Sequence, residues 1–114
     1  MKTYYVGDTY PPMDFLLKRR NASNVLTYVD PSGASQIVVK ARINGVHVLK
    51  QSANLSNNVS IVVDGDGYNR IRLRFVEGDL DTEGIYQVLV RLIWTDGSES
   101  VPEPYEFKVV PAWN

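Results

Sequence analysis

The sequence predicts an all-β chain folded as an antiparallel sandwich of two sheets, and three observations point there. Apolar residues recur with period two, and no segment sustains a helical period. Turn sequences rich in Gly, Asn and Asp separate the alternating runs at regular spacing. Finally, in Asp81-Thr82-Glu83-Gly84-Ile85-Tyr86-Gln87-Val88-Leu89-Val90 a Gly stands two residues before a Tyr, and that Tyr opens the longest alternating run of the chain. The sixth strand of an immunoglobulin-type sandwich opens in the same way, with a Cys two residues after the Tyr.

Taken in order, short strands are expected at residues 4–6 and 15–18. The turn Asp30-Pro31-Ser32-Gly33 leads into a run in which Ile37, Val39, Ala41 and Ile43 point inward against Lys40 and Arg42. Asn44-Gly45 is the strongest two-residue hairpin signal, and it leads to a strand at 46–49. A strand at 59–63 ends at Asp64-Gly65-Asp66-Gly67. The next strand directs Ile71, Leu73 and Phe75 inward and Arg72 and Arg74 outward. After the acidic corner 77–84, the long strand buries Tyr86, Val88, Val90, Leu92 and Trp94. Asp96-Gly97 turns the chain toward a last strand in which Tyr105, Phe107 and Val109 alternate with Glu106 and Lys108. Pro102 and Pro104 before it mark a loop or edge entry, because Pro cannot donate to a ladder. The expectation is seven or eight strands in one immunoglobulin-like β-sandwich domain spanning residues 1–114, with no linker, repeat or low-complexity segment.

Tyr86 is the expected tyrosine corner, its hydroxyl bonding back to the backbone of the preceding loop. Val88 occupies the position where such a fold carries its Cys, and the chain contains no Cys. The core is therefore expected to cohere by packing, with Phe75, Tyr86, Trp94 and Phe107 supplying much of its area.

Composition excludes several classes of function. The 114 residues are 44% hydrophobic and 22% charged, the proportions of an ordinary globular domain. Twelve basic and 13 acidic residues leave a net charge of −1, without the clustered positive charge that nucleic acid demands. Lys18-Arg19-Arg20 is too short a basic run to change that reading. Without Cys there is no disulfide framework, zinc ribbon or thiol nucleophile. No apolar run approaches the ~20 residues of a membrane-spanning helix. No signal peptide is visible, so the chain is expected to be made and kept in a cytoplasm, or assembled into something built there.

Catalytic chemistry finds little footing. His47, the only histidine, falls on the solvent side of an alternating strand, and no nucleophile-elbow sequence accompanies it. Asp64-Gly65-Asp66-Gly67 begins like a calcium loop, but Tyr68 occupies the next ligand position and no Glu closes it. Asp79, Asp81 and Glu83 form a second acidic cluster. The strand between the two clusters spans about 23 Å, so they cannot share one ion. A cation at the 79–83 corner, helped by Asp30, competes there with a plain solvated turn. No cofactor and no metal are expected.

Apolar residues on the outer face are more informative. If Tyr86, Val88 and Val90 point inward, Leu89 and Ile93 point outward, where an antiparallel sheet with one wet face places polar residues. Phe15-Leu16-Leu17 is similarly two-faced, and Tyr4, Tyr5 and Trp113 lie near the termini. Either the N-terminal segment crosses over and covers that face, or Leu89, Ile93, Tyr4, Tyr5 and Trp113 contribute to a protein interface.

With those residues in place, the pattern resembles the N-terminal domain of siphophage upper-baseplate proteins of the BppU type. The features that carry the resemblance are Gly7-Asp8-Thr9 followed by Asp14-Phe15-Leu16-Leu17, and Asp30-Pro31-Ser32-Gly33-Ala34-Ser35 before Ile37-Val38-Val39. The rest are Asp81 to Tyr86 and the closing Asp96-Gly97, Pro102 and Phe107-Lys108-Val109. The match covers nearly the whole chain, through elements that sandwich domains share widely. The resemblance implies an immunoglobulin-like domain that ties peripheral fibres or receptor-binding proteins to a baseplate ring and catalyses nothing. Members of that family continue into a long C-terminal extension, whereas this sequence stops at Asn114, which suits a tail, neck or decoration component better than a two-ended adaptor.

The expectation is therefore a non-enzymatic bacteriophage virion structural protein, assembled in the host cytoplasm. It would dock on other virion proteins as a homo-oligomer or in symmetric multiple copies, without nucleic acid or membrane as a partner. The competing expectation is a carbohydrate-binding or adhesive immunoglobulin-like module that stacks exposed Tyr and Trp on sugar.

Overall fold

The computed structural model describes residues 1–43, 58–63 and 65–112 in full and residues 46–53 by their backbone. Its strands are β1 (Lys2–Tyr5), β2 (Met13–Phe15), β3 (Leu17–Arg20), β4 (Leu26–Val29), β5 (Gln36–Ile43), β6 (Val46–Ala53), β7 (Val59–Val63), β8 (Asn69–Leu73), β9 (Gly84–Ile93), β10 (Glu99–Ser100) and β11 (Tyr105–Val110). A single 3-10 turn, Pro31–Gly33, stands between β4 and β5.

The large sheet runs β1-β11-β9-β5-β6, with β10 also paired to β9. The small sheet runs β2-β8-β7, and β3-β4 form a separate hairpin. All pairings are antiparallel except β1 with β11, which is parallel with Tyr4 opposite Val109. With β6-β5-β9-β11 on one side and β2-β8-β7 on the other, the topology is the C′CFG and BED arrangement of an immunoglobulin-like sandwich.

Period two decides which side chains meet between the sheets. Ile37, Val39, Ala41 and Ile43 of β5 and Tyr86, Val88, Val90 and Leu92 of β9 are buried, as are Phe107 and Val109 of β11. The small sheet answers with Met13, Phe15, Val59, Ile71 and Leu73. These residues belong to one continuous hydrophobic cluster. Four rings form its aromatic centre. Phe107 lies 4.9 Å from Tyr86, 5.7 Å from Tyr4 and 5.7 Å from Phe75, and Tyr4 meets Phe75 edge-on at 5.1 Å. Each such pair contributes ~0.5–1.5 kcal/mol beyond its buried area.

Local sequence explains the turns. Asp30 accepts the Ser32 N–H at 2.9 Å and so caps the 3-10 turn, whose first residue is Pro31. Between β9 and β10 the chain reverses over Trp94-Thr95-Asp96-Gly97, with Gly97 at φ 86°, a backbone region that Gly enters without steric cost. Asp96 secures that reversal by accepting the Ser98 N–H at 2.9 Å. Ile43 pairs with Val46, leaving two residues between β5 and β6. Those two, Asn44 and Gly45, lie outside the described residues.

The structure departs from the sequence reading at several places. The strand expected at 15–18 divides at Leu16: its first half pairs with β8, and its second half pairs with β4 and takes the Glu103 N–H on the Lys18 carbonyl at 2.8 Å. One strand thereby serves two layers, which is why Phe15-Leu16-Leu17 is apolar on both faces. Strand β4 was not expected at all. Trp94 falls just past the end of β9 and is only half-buried, lying over Gly33 with its Nε1 donating to Ser100 Oγ at 3.0 Å. Strand β8 ends at Leu73, although Phe75 remains buried because the Arg74 N–H still reaches the Asn58 carbonyl at 2.8 Å.

Two buried tyrosines differ in one respect that can be tested. The Tyr86 hydroxyl donates to the Thr82 carbonyl at 2.6 Å across the loop that precedes β9. The Tyr4 hydroxyl is buried with no hydrogen-bond partner, and burial pushes it up to about 12 from 10.0. Tyr86→Phe should therefore lower stability by ~1 kcal/mol, and Tyr4→Phe should be neutral or raise it by up to ~1 kcal/mol, read from urea midpoints at neutral pH. The fold favours the neutral Tyr4 phenol. That contribution is whole below pH 10 and is lost as pH rises toward about 12. Tyr4→Phe should accordingly unfold at higher alkaline pH than the unmodified chain.

Candidate functional site

The outer face of the large sheet is built by the same alternation that builds the core. With Tyr86, Val88, Val90 and Leu92 buried, β9 presents Ile85, Gln87, Leu89, Arg91 and Ile93 on the opposite side. On β5 the outward residues are Gln36, Val38, Lys40 and Arg42. Strand register sets Leu89 beside Lys40, Arg91 beside Val38, and Ile93 between Gln36 and Glu99. Leu89, Ile93 and Val38 are half-buried, and Val101, in the segment after β10, is 56% exposed. Val38, Leu89, Val101 and the stems of Lys40 and Arg91 line a shallow depression of about 160 Å³.

Polar groups bound this apolar strip. On one side Arg42 Nε donates to Gln87 Oε1 at 2.8 Å, and Gln87 Nε2 donates to Glu106 at 3.4 Å, a ladder that crosses three strands. Arg91 rises beside Val38, between Leu89 and Ile93 on the same strand, and approaches Glu99 at 3.9 Å. Half-buried apolar side chains thus alternate with the charged Lys40 and Arg91 on this face. The N-terminal segment does not cover this face. It joins the large sheet at the β11 edge instead, because β1 finds its ladder partner there.

Of the residues singled out from the sequence, Leu89 and Ile93 share this strip. Tyr4 does not: it is a core residue at 2% exposure, its ring packed edge-on against Phe75 and Phe107, so it has no surface to offer. Its neighbour Tyr5 takes the opposite face and is 53% exposed, and its N–H donates to the Asp8 carboxylate at 2.8 Å. Tyr5 pairs with Val110, at the β9 start of the sheet. That places it about 20 Å along the strand direction from Leu89 at roughly 3.3 Å per residue. Tyr5, Val110 and Ile85 form a separate apolar spot at that end. Trp113, Asp64 and the His47 side chain lie outside the described residues.

A second concavity escaped the sequence reading. Where the β2–β3 strand changes layers, Phe15, Leu16 and Lys18 face Leu26, Glu103 and Tyr105 across a groove of about 410 Å³. Tyr105 stacks on Phe15 at 4.8 Å with the rings 14° apart, so one ring face is already occupied. Asp14, which also lines the groove, is held by Arg72 through two bonds of 2.8 Å, and this contact draws the Asp14 carboxyl below its ordinary value. The two-faced triplet 15–17 was the available signal, but Glu103 and Tyr105 lie some 90 residues further along the sequence.

Asp66, Asp79 and Asp30 have structural partners close by. Asp66 accepts two bonds from Arg70, at 2.9 and 2.6 Å, together with the Tyr68 N–H, which brings its carboxyl down to about 2. Asp79 accepts the Val76 N–H at 2.8 Å, while burial pushes its carboxyl upward. Asp30 is shared between Ser32 and the Asn69 side chain. These are turn-closing contacts, and among the described residues no group of three or more His, Asp or Glu is placed to hold a metal ion. Exposed tyrosines do not assemble into a stacking platform either. Tyr68 leans edge-on against Tyr28 at one end of the small sheet, and Tyr10 precedes β2 at the other.

No family model matches the sequence, and no curated protein does. Among solved structures, CopC from Methylosinus trichosporium OB3b is similar over 99% of this chain and 86% of its own, at 16% identity and a TM-score of 0.48. The V domain of amphioxus IgVJ-C2 is similar over 94% of this chain and 97% of its own, at 15% identity and a TM-score of 0.30. Extracellular domains 3–5 of Drosophila OTK are similar over 96% of this chain and 32% of their own, at 12% identity and 0.30. At such identities and scores these likenesses carry no function across, and the fold assignment rests on the strand topology described above.

The Asp14–Arg72 contact gives the groove a pH signature. A carboxyl whose folded value is depressed stabilises the fold above its unfolded value, and that stability is lost as pH falls through the depressed value. The chain should therefore lose stability on acidification below about pH 4. Asp14→Asn should be less stable at neutral pH and show a shallower acid slope, measured by thermal unfolding from pH 7 to 2.5.

Proposed function

We propose that this chain is a non-enzymatic structural protein of a bacteriophage virion, a tail, baseplate, neck or decoration component. It docks on a neighbouring virion protein through the outer face of the large sheet. The observation that carries the reading is the apolar strip Val38-Leu89-Ile93, with Val101 beside it, set on the face of a sheet where nothing in the core requires it. Three outward apolar side chains on two adjacent central strands are costly to leave wet, at about 25 cal/mol per Å² of apolar surface. A neighbour that removes them from water recovers that free energy, and the Arg42-Gln87-Glu106 ladder at the rim and the Arg91–Glu99 pair beside Val38 fix orientation.

Other observations support the same reading. The carboxylates of Asp66 and Asp79 are committed to backbone N–H groups and, for Asp66, to Arg70. The sequence resemblance to siphophage upper-baseplate domains runs through Gly7-Asp8-Thr9, the Asp30 turn and the 81–86 corner. In this reading the protein is found in the particle, after assembly in the host cytoplasm and in several symmetry-related copies.

The test is incorporation. In a phage deleted for this gene and complemented from a plasmid, the wild-type chain should co-purify with particles. Leu89→Asp and Ile93→Asp chains, shown to be folded by circular dichroism, should be reduced about tenfold or more, as the loss of a desolvated contact predicts. Equal incorporation of the aspartate variants would move docking away from this face. Absence of the wild-type chain from particles would end the virion reading.

A further inference from the structure

Strand β7 ends the small sheet: it pairs with β8 over residues 59–63 and has no second neighbour among the described residues. Its sequence, Val59-Ser60-Ile61-Val62-Val63, contains no charge, Pro or Gly. Natural edge strands are usually blunted by one of these, because an unpaired row of N–H and C=O groups is a template for another strand. Other edge strands among the described residues are blunted. Strand β1 carries Lys2, β2 carries Asp14 and β6 carries Lys50. Strand β4 is tied down where the Tyr28 hydroxyl donates to the Asn69 carbonyl and accepts the Asn69 N–H.

The inward row of β7 also runs out of cover. Val59 is fully buried, Ile61 is half-buried against the core, and Val63 on the same face is 65% exposed. An inner-face valine left in water at the end of an unblunted edge marks a sheet that can be extended.

We infer that β7 is a self-pairing edge, and that its occupant is β7 of a second copy of this chain, added antiparallel about a two-fold axis through Ile61. In that register Ile61 faces Ile61 of the partner, Val59 faces the partner's Val63, and Ser60 faces the partner's Val62. Every opposed pair is neutral, and four of the five residues are β-branched, the types that pair best across strands. A charged edge set against its own copy would meet like charges. The exposed Val63 comes to rest beside the partner's buried Val59 on the inner face, and two three-stranded sheets become one of six. The inference does not depend on the docking face proposed above, since it uses a different sheet.

Because the chain has no Cys, single-cysteine variants report this register directly. Directly opposed residues have Cα atoms about 4.5–5.5 Å apart, within disulfide range, whereas diagonal pairs stand about 7–8 Å apart, beyond it. Under mild oxidation Ile61→Cys should form dimers about tenfold faster than Ser60→Cys or Val62→Cys alone. A mixture of Ser60→Cys and Val62→Cys should cross-link where neither does by itself, and this arm stands even if Ile61→Cys fails to fold. Adding Leu89→Asp should leave these rates unchanged, which separates this edge from the docking face. Equal rates at all three positions, or no cross-linking in the mixture, would overturn the inference.

Discussion

Phe107 is the contact on which the rest of the molecule depends. Its ring touches Tyr4 from β1, Tyr86 from β9 and Phe75 from the segment after β8, so one side chain joins the large sheet to the chain leaving the small one. Sandwiches of this topology in antibody domains hold their sheets with a disulfide. Here Val88 is buried at the corresponding point and the cross-link is replaced by interlocking rings. A disulfide acts mainly on the unfolded chain, while rings act only when packed. The fold is therefore stabilised by geometry that must be right throughout, and the facing of β9 is set with it.

That facing links core to surface. Once Tyr86 is inward, period two puts Leu89 and Ile93 outward with no further freedom, because a one-residue slip would reverse both rows. The apolar strip is therefore not adjustable independently of the core. A substitution that loosened Phe107 would disturb the outer face too. The Tyr86–Thr82 bond secures the point where the chain enters β9, and with it the register of the whole row.

The sequence was most legible where local pattern and tertiary demand agree. Residues 37–43 and 86–92 alternate because each side of the strand meets a different medium, and the structure buries the rows so identified. It was least legible where one segment serves two environments. Leu26–Val29 has only one outward apolar signal and two half-buried residues, a pattern too short to separate from a loop, yet the Tyr28 hydroxyl fastens it to Asn69. Tyr4 lies near a terminus, where aromatic residues read as surface. A parallel ladder with β11 carries it inside, and pairing between residues some 105 positions apart leaves no local trace. The groove beside Phe15 was hidden for the same reason, since Glu103 and Tyr105 reach it from some 90 residues away.

The two proposed contacts differ in physical character, and the difference bears on assembly. The outer strip of the large sheet offers apolar area and a polar rim, so it selects a partner by shape. The β7 edge offers backbone hydrogen bonds and neutral β-branched side chains, so it selects by strand register. Each is small, one a depression of about 160 Å³ and the other five residues long. An isolated protein pair is usually stable only when it buries ~1,000 Å² or more. The outer face and the edge of the opposite sheet do not compete for space, so one copy can engage both. In a particle that fixes many copies at once, the second contact becomes intramolecular, and two weak surfaces together hold more tightly than either alone. Small, unblunted and separate surfaces are thus what a protein held by repetition requires.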